Sequence, residues 1–239
     1  MNVIKTLVEF GKEKGKDVKI KRIAFGDYIF VELENGNSGL AYVYKEWVRF
    51  KRIKPKFPKD AASASSFLLS YNPLEISLGL ATINALAYRT DFIEGDALDF
   101  VNPRPGSKVA LIGYFRSYVE KLKNLVNLFV FELRPINNNL VYPWYAEEDL
   151  IPKMDYVILT GTTLVNKTIN RILELSAGKI VAIVGPTTPL VTEAFKGSVN
   201  VLAGLHITDS EKVYEMISKG LPIQSIIHSS YAKKVVTIL

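Results

Sequence analysis

From residue 108 onward the chain repeats one unit, a short apolar run followed by a stretch with helical spacing. This constrains the fold more than any other feature. The runs are KVALIG (108–113), NLFVFEL (127–133), YVILTG (156–161), KIVAIVG (179–185) and NVLAGLHI (200–207). Each is almost continuously apolar, as a strand buried on both faces must be. Between them, Phe115, Val119, Leu122 and Val126 share one helical face, and Ile169, Ile172, Leu173 and Ser176 share another. TDSE (208–211) reads as a capping box opening a last helix, which closes at Gly220 before Pro222. Strands alternating with helices predict an α/β fold, a doubly wound parallel sheet with right-handed crossovers.

Residues 1–100 follow a different grammar, that of a small α+β unit. An opening amphipathic helix precedes a stretch rich in β-branched and aromatic residues (18–44), with hairpin signals in ENGNSG (34–39). In SYNPLEISLGLATINALAYRT (70–90), Asn72 is the expected N-cap, Pro73 the first helical residue, and Glu75 can reach back. This helix is apolar nearly all round, which predicts burial on every side, between the two halves of the molecule. FVNPRPGS (100–107) reads as the linker. The expected division is a small α+β domain over 1–102 and an α/β domain over 103–239.

Composition excludes several kinds of chemistry. Without cysteine there is no disulfide, no thiolate metal site and no cysteine nucleophile. No apolar run reaches the roughly 18 residues of a membrane span, and the opening helix lacks a signal-peptide core, so the chain reads as cytoplasmic with no membrane partner. A single glutamine and three methionines hint at a thermophilic source. The net charge of +6 is spread out, except in KEWVRFKRIKPKFPKD (45–60), whose seven basic residues interleave with Trp47, Phe50 and Phe57. With no nucleic-acid motif elsewhere, this segment reads as a strand end and solvated loop rather than a nucleic-acid surface.

Three strand ends look alike: LIGYF, LTGTTLVN and IVGPTTP. In open α/β sheets ligands bind outside the carboxyl ends of the strands, at the point where strand order reverses. Gly113, Tyr114 and Phe115 follow the first strand. Gly161, Thr162, Thr163 and Asn166 follow the third, and Gly185, Pro186 and Thr187 the fourth. One helix cap needs one hydroxyl, and the TGTTLVNKT stretch offers several, which points to a ligand; helix N-termini there would favour an anionic or carbonyl group. GYFRSY lacks the glycines of a dinucleotide fingerprint, and there is no phosphate-binding G-x-x-x-x-G-K loop. Glu132, ending the second strand, is placed either as a ribose-binding or proton-transferring acid or as a strand-end carboxylate beside Arg134. Asn84, an amide inside an apolar helix, must find a partner in a ligand or in the other domain's backbone. His206 and His228 show no metal-ligand spacing.

The blocks NPLEISLGLATINAL, TGTTLVNKTINRILEL and GPTTPLVTEAFKGSVNVLAG resemble those of the heavy-metal-chelation family, over nearly the whole chain. The resemblance implies an enolase N-terminal-like first domain, a Rossmann-like second domain and a site in the cleft between them. It also implies a role in binding a metal or metal-containing small molecule, in metal or cofactor metabolism. The cofactor is therefore open between a metal ion and a metal chelate. The hydroxyls and amides themselves suit a small polar or anionic molecule, or a pre-chelated metal, better than a soft ion ligated directly. The alternative is an enzyme, a transferase or lyase acting on a cofactor precursor in the same cleft with Glu132 as its acid or base. The partner is a small-molecule ligand, and a homodimer is compatible with this reading.

Overall fold

The structure is a computed structural model and describes residues 2–48 and 58–239. Most of the basic stretch 45–60 therefore lies outside the described residues. In the first unit, helix α1 (Val3–Lys14) starts at Asn2, whose side chain accepts from the Lys5 N–H at 3.2 Å. Strands β1 (Ile20–Phe25), β2 (Tyr28–Leu33) and β3 (Ser38–Tyr42) form an antiparallel sheet, with the expected hairpin between β2 and β3. Helices α2 (Ala61–Ser65) and α3 (Pro73–Leu86) follow, the latter capped by Asn72 as expected. Glu75 accepts instead from the Ser70 hydroxyl. Helix α3 is buried all round, but within the first unit, enclosed by β2 and β3 on one side and by α1 and α2 on the other. Toward the second unit, Asn84 donates to the Thr187 carbonyl, and the apolar residues of α3 share one core with residues of that unit.

The second unit runs β4 (Ile93–Glu94), α4 (Ala97–Val101), β5 (Lys108–Ile112), α5 (Arg116–Leu122), β6 (Asn127–Glu132), β7 (Val141–Pro143) and α6 (Glu147–Leu150). It continues β8 (Tyr156–Thr160), α7 (Ile169–Leu175), β9 (Ile180–Val184), β10 (Val201–Ile207), α8 (Ser210–Ser218), α9 (Ile223–Ile227) and β11 (Ala232–Ile238). These strands make one sheet in the order β4-β11-β10-β9-β8-β5-β6-β7. Strands β5 to β10 are mutually parallel; β11 pairs antiparallel with β10, and β4 with β11. The chain thus builds outward from β5 to β7, returns, and builds the other way from β8 to β10, the doubly wound arrangement expected. Strand β11 escapes the apolar-run criterion because its pattern is mixed, with Lys233 and Lys234 exposed on a strand near the sheet edge.

Alternation along β5 divides the core. Val109 and Leu111 face α5 residues Val119 and Leu122, while Ala110 and Ile112 face α7 and, beyond it, the first unit. A third cluster packs Ala24, Phe30 and Leu40 of the small sheet against Val213 and Ile217 of α8. Two helix starts differ from the sequence reading. After Gly161 the chain makes a 3-10 turn, Gly161–Leu164, before α7 begins at Ile169. The cap of α8 is Asp209, accepting from the Lys212 N–H at 3.0 Å, while Thr208 donates to the Ser230 carbonyl.

Candidate functional site

Strand order reverses between β5 and β8, so Gly113 and Gly161 stand at the switch point, where an open α/β sheet leaves a crevice. The small sheet covers part of this edge. The expected single cleft is divided into three recesses.

The first is a cleft of about 60 Å³ between the units, with Tyr44 from the first unit facing Thr160, Thr162, Asn166, Glu132 and Glu147 from the second. The Tyr44 hydroxyl donates to Thr162 Oγ1 at 3.2 Å, and Thr162 Oγ1 lies 3.1 Å from Thr160 Oγ1. Asn166 Nδ2 donates to the Tyr44 hydroxyl at 3.4 Å, while its Oδ1 accepts from Thr168 N–H and hydroxyl. Thr163 is turned inward, donating to the Thr160 carbonyl at 2.8 Å. The ring of Tyr44 stacks on Trp47, centroids 4.3 Å apart, and burial pushes its phenol pKa up.

Two carboxyl groups enter this cleft in different surroundings. Glu132 accepts from the backbone N–H groups of Tyr114 (2.9 Å), Leu133 (2.8 Å) and Arg134 (3.1 Å), which ties the loop after β5 to the end of β6. Arg134 does not pair with Glu132; its guanidinium donates to Glu46 and to the Tyr42 hydroxyl. Glu147 has no ion pair among the described residues. Burial, with a smaller contribution from the neighbouring charge of Glu148, raises its pKa to about 7. Glu148 itself turns away to Arg171. Glu147 was missed in the sequence because PWYAEEDL carries no spacing signal, and nothing in it distinguishes the inward carboxylate from the outward one.

The second recess, about 30 Å³, lies at the junction of α3, β10 and the loop after β9. Asn84 Nδ2 donates to the Leu40 carbonyl of its own unit at 2.7 Å and to the Thr187 carbonyl of the other unit at 3.2 Å, so its partners are backbone carbonyls of both units. Thr187 accepts from the Tyr42 N–H at 3.0 Å and is also spent on the junction. Buried Asn84 Oδ1 and Thr188 Oγ1 have no protein partner among the described residues, and the space suffices for an ordered water. His206 sits between the rings of Tyr88 and Phe92; burial, then the nearby Lys233, lowers its pKa.

The third recess, about 650 Å³, takes in Tyr114, Phe115, Gly185 and Pro186 and lies within the second unit. Gly161 separates the recesses by joining two loops. A Cβ there would sit 2.7 Å from the Thr188 N, so only glycine lets the loop after β8 lie against the loop after β9.

The chain is 29% identical over 216 residues to an uncharacterised protein of Methanocaldococcus jannaschii, covering 84% of this chain and 83% of that one. Its fold matches the crystal structure of a protein of unknown function from Pyrococcus horikoshii, with a TM-score of 0.88 and 25% identity, over 99% of this chain and 100% of that one. A second such structure, from Desulfitobacterium hafniense, matches with a TM-score of 0.83 and 25% identity, over 98% of each chain. Both belong to the family DUF364. Two family models carry the description "Putative heavy-metal chelation": DUF4213 matches residues 9–87 and DUF364 matches residues 96–237. The donors of this chain do not fit a soft metal held directly, since such ions bind through thiolate and imidazole. There is no cysteine, and no group of three or more His, Asp or Glu able to hold an ion occurs among the described residues. By the match over residues 96–237, the chain belongs to the DUF364 family.

Proposed function

We propose that the interdomain cleft at the switch point binds the polar end of a small organic molecule or of a pre-formed metal chelate. The observation that carries this reading is the Tyr44–Thr162–Asn166 cluster, three hydrogen-bonding side chains gathered from both units beside Gly113 and Gly161. The lining contains two carboxyl groups and neither lysine nor arginine. It therefore favours a group that donates hydrogen bonds over the anion expected from helix termini alone. A cleft of this size takes the end of a molecule, and the body would lie outward along the half-exposed Trp144 and the Tyr44–Trp47 stack.

Within the proposal the expected site residues take different roles. Thr162 and Asn166 contact the ligand, Gly113 shapes the floor, and Gly161 holds the loop after β8 against the loop after β9. Thr163, Thr187 and Asn84 hold the loops and the junction, and Glu132 positions the loop carrying Tyr114 and Phe115. A second reading, an enzyme on the same cleft, rests on Glu147. A half-buried carboxyl with a pKa near neutrality can both accept and donate a proton, which Glu132, engaged by three amides, is poorly placed to do.

Equilibrium dialysis of the protein against a polar metabolite extract, followed by mass spectrometry, tests the site. The wild-type chain should retain a compound that the Tyr44→Phe/Thr162→Val variant releases at unchanged circular dichroism. Equal retention by both would remove the cluster from the proposal. Loss of that compound's chemical conversion in Glu147→Gln, with binding intact, would favour the enzyme.

A further inference from the structure

The third recess is the largest of the three described and lies apart from the interdomain cleft. It measures about 650 Å³, within the range of small-molecule sites, and opens at the carboxyl ends of β5, β9 and β10 on the α5 side of the sheet. Its lining comes from residues 95–234, so it needs nothing from the first unit.

Two features define what would fit. The floor is bare backbone: Gly185 has a φ of +106°, and a Cβ placed on it would meet only the ring of Phe115, at 3.9 Å. A flat group can therefore lie on the peptide at Gly185, edged by the Phe115 ring. The rim carries uncommitted donors. Arg22, Arg89, Arg134 and Arg171 each pair with a carboxylate, whereas Arg116, at this rim, has no ion pair among the described residues. Across the opening, the side chains of Gln224 and His228 likewise have no described partner. Of the cavity's two acids, Asp96 is already satisfied by Lys234 at 3.0 Å and by the Tyr118 hydroxyl at 2.7 Å, and Glu120 pairs with Lys123 at 2.5 Å.

The geometry points to a second binding site, distinct from the interdomain cleft, for a mononucleotide-sized ligand made of a planar heteroaromatic ring and one anionic group. The ring lies on Gly185 beside Phe115, and the anion meets Arg116. Because GYFRSY lacks the glycines that cradle a pyrophosphate, the ligand carries a single anionic group rather than a dinucleotide bridge.

Isothermal titration with AMP, flavin mononucleotide and inorganic phosphate, on the full chain, tests this. At least one nucleotide should bind with a Kd below about 1 mM, at least about tenfold tighter than phosphate. Arg116→Glu, a change at an exposed position, should weaken that binding by about tenfold or more. Gln224→Trp, which narrows the mouth, should weaken it as well, while Thr162→Val in the other cleft should leave it unchanged. The proposal is overturned if neither nucleotide binds, if phosphate binds as tightly, or if binding survives both rim variants. Loss of binding in Thr162→Val would likewise place the ligand elsewhere and overturn it.

Discussion

At the scale of single residues, the two glutamates of the interdomain cleft show how position sets chemistry. Glu132 is an acceptor for three N–H groups, whereas Glu147 is desolvated without compensation. The sign of its effect on stability follows from the raised pKa. Between the unfolded value near 4.5 and the folded value near 7, the native state holds a proton that the unfolded chain has lost. Stability from this group is complete below the lower value and is lost as pH rises through about 7. Glu147→Gln should therefore melt at a temperature that rises relative to wild type between pH 5 and pH 8. Thermal melts across that range check this, and parallel curves would mean that Glu147 is solvated. Residue types were legible in the sequence, but their commitments were not. Thr163, Thr187 and Asn84 look like ligand groups in the chain, yet the Thr160 carbonyl, Tyr42 N–H and Thr187 carbonyl use them, two of these pairings across more than a hundred residues.

At the scale of elements, buried parallel strands are the most readable part of this chain, because burial on both faces forces a continuous apolar run. Each of the five runs became a strand, and the glycines after β5, β8 and β9 fall at its carboxyl edge as their spacing suggested. Strand β11 was hidden by its lysines, and β7 by its length of three residues. The 3-10 turn after Gly161 was also hidden, since Thr and Leu there fit a helix start equally well. What holds that turn is its contact with the loop after β9. Gly161→Ala would push a methyl into the Thr188 backbone and should cost about 1–3 kcal/mol. Urea unfolding measures this directly, and an unchanged midpoint would show that the two loops can separate freely.

Across the whole molecule, the two units share apolar cores. One apolar core runs from α1 and α3 into β5, β8 and β9, and another joins the small sheet to α8. Polar ties add to it: Tyr44 to Thr162, Tyr42 and Asn84 to Thr187, Arg22 to Glu211, and Val3 N–H to Asn170. Interfaces this apolar do not behave as loose domain contacts. The units should therefore unfold in one transition, with equal calorimetric and van't Hoff enthalpies; two resolved transitions would contradict the shared core. The same junction builds the cleft, since Tyr44 comes from one side and Thr162 and Asn166 from the other. In the proposed function, this cleft holds an organic or pre-chelated molecule by its polar end, without ligating a bare metal ion. Native mass spectrometry of the chain after incubation with a metabolite extract, paired with elemental analysis, tests it most directly. The wild-type chain should carry an adduct of an organic molecule, with or without metal, that disappears in the Tyr44→Phe/Thr162→Val variant. A stoichiometric bare metal ion retained by wild type and variant alike would contradict it.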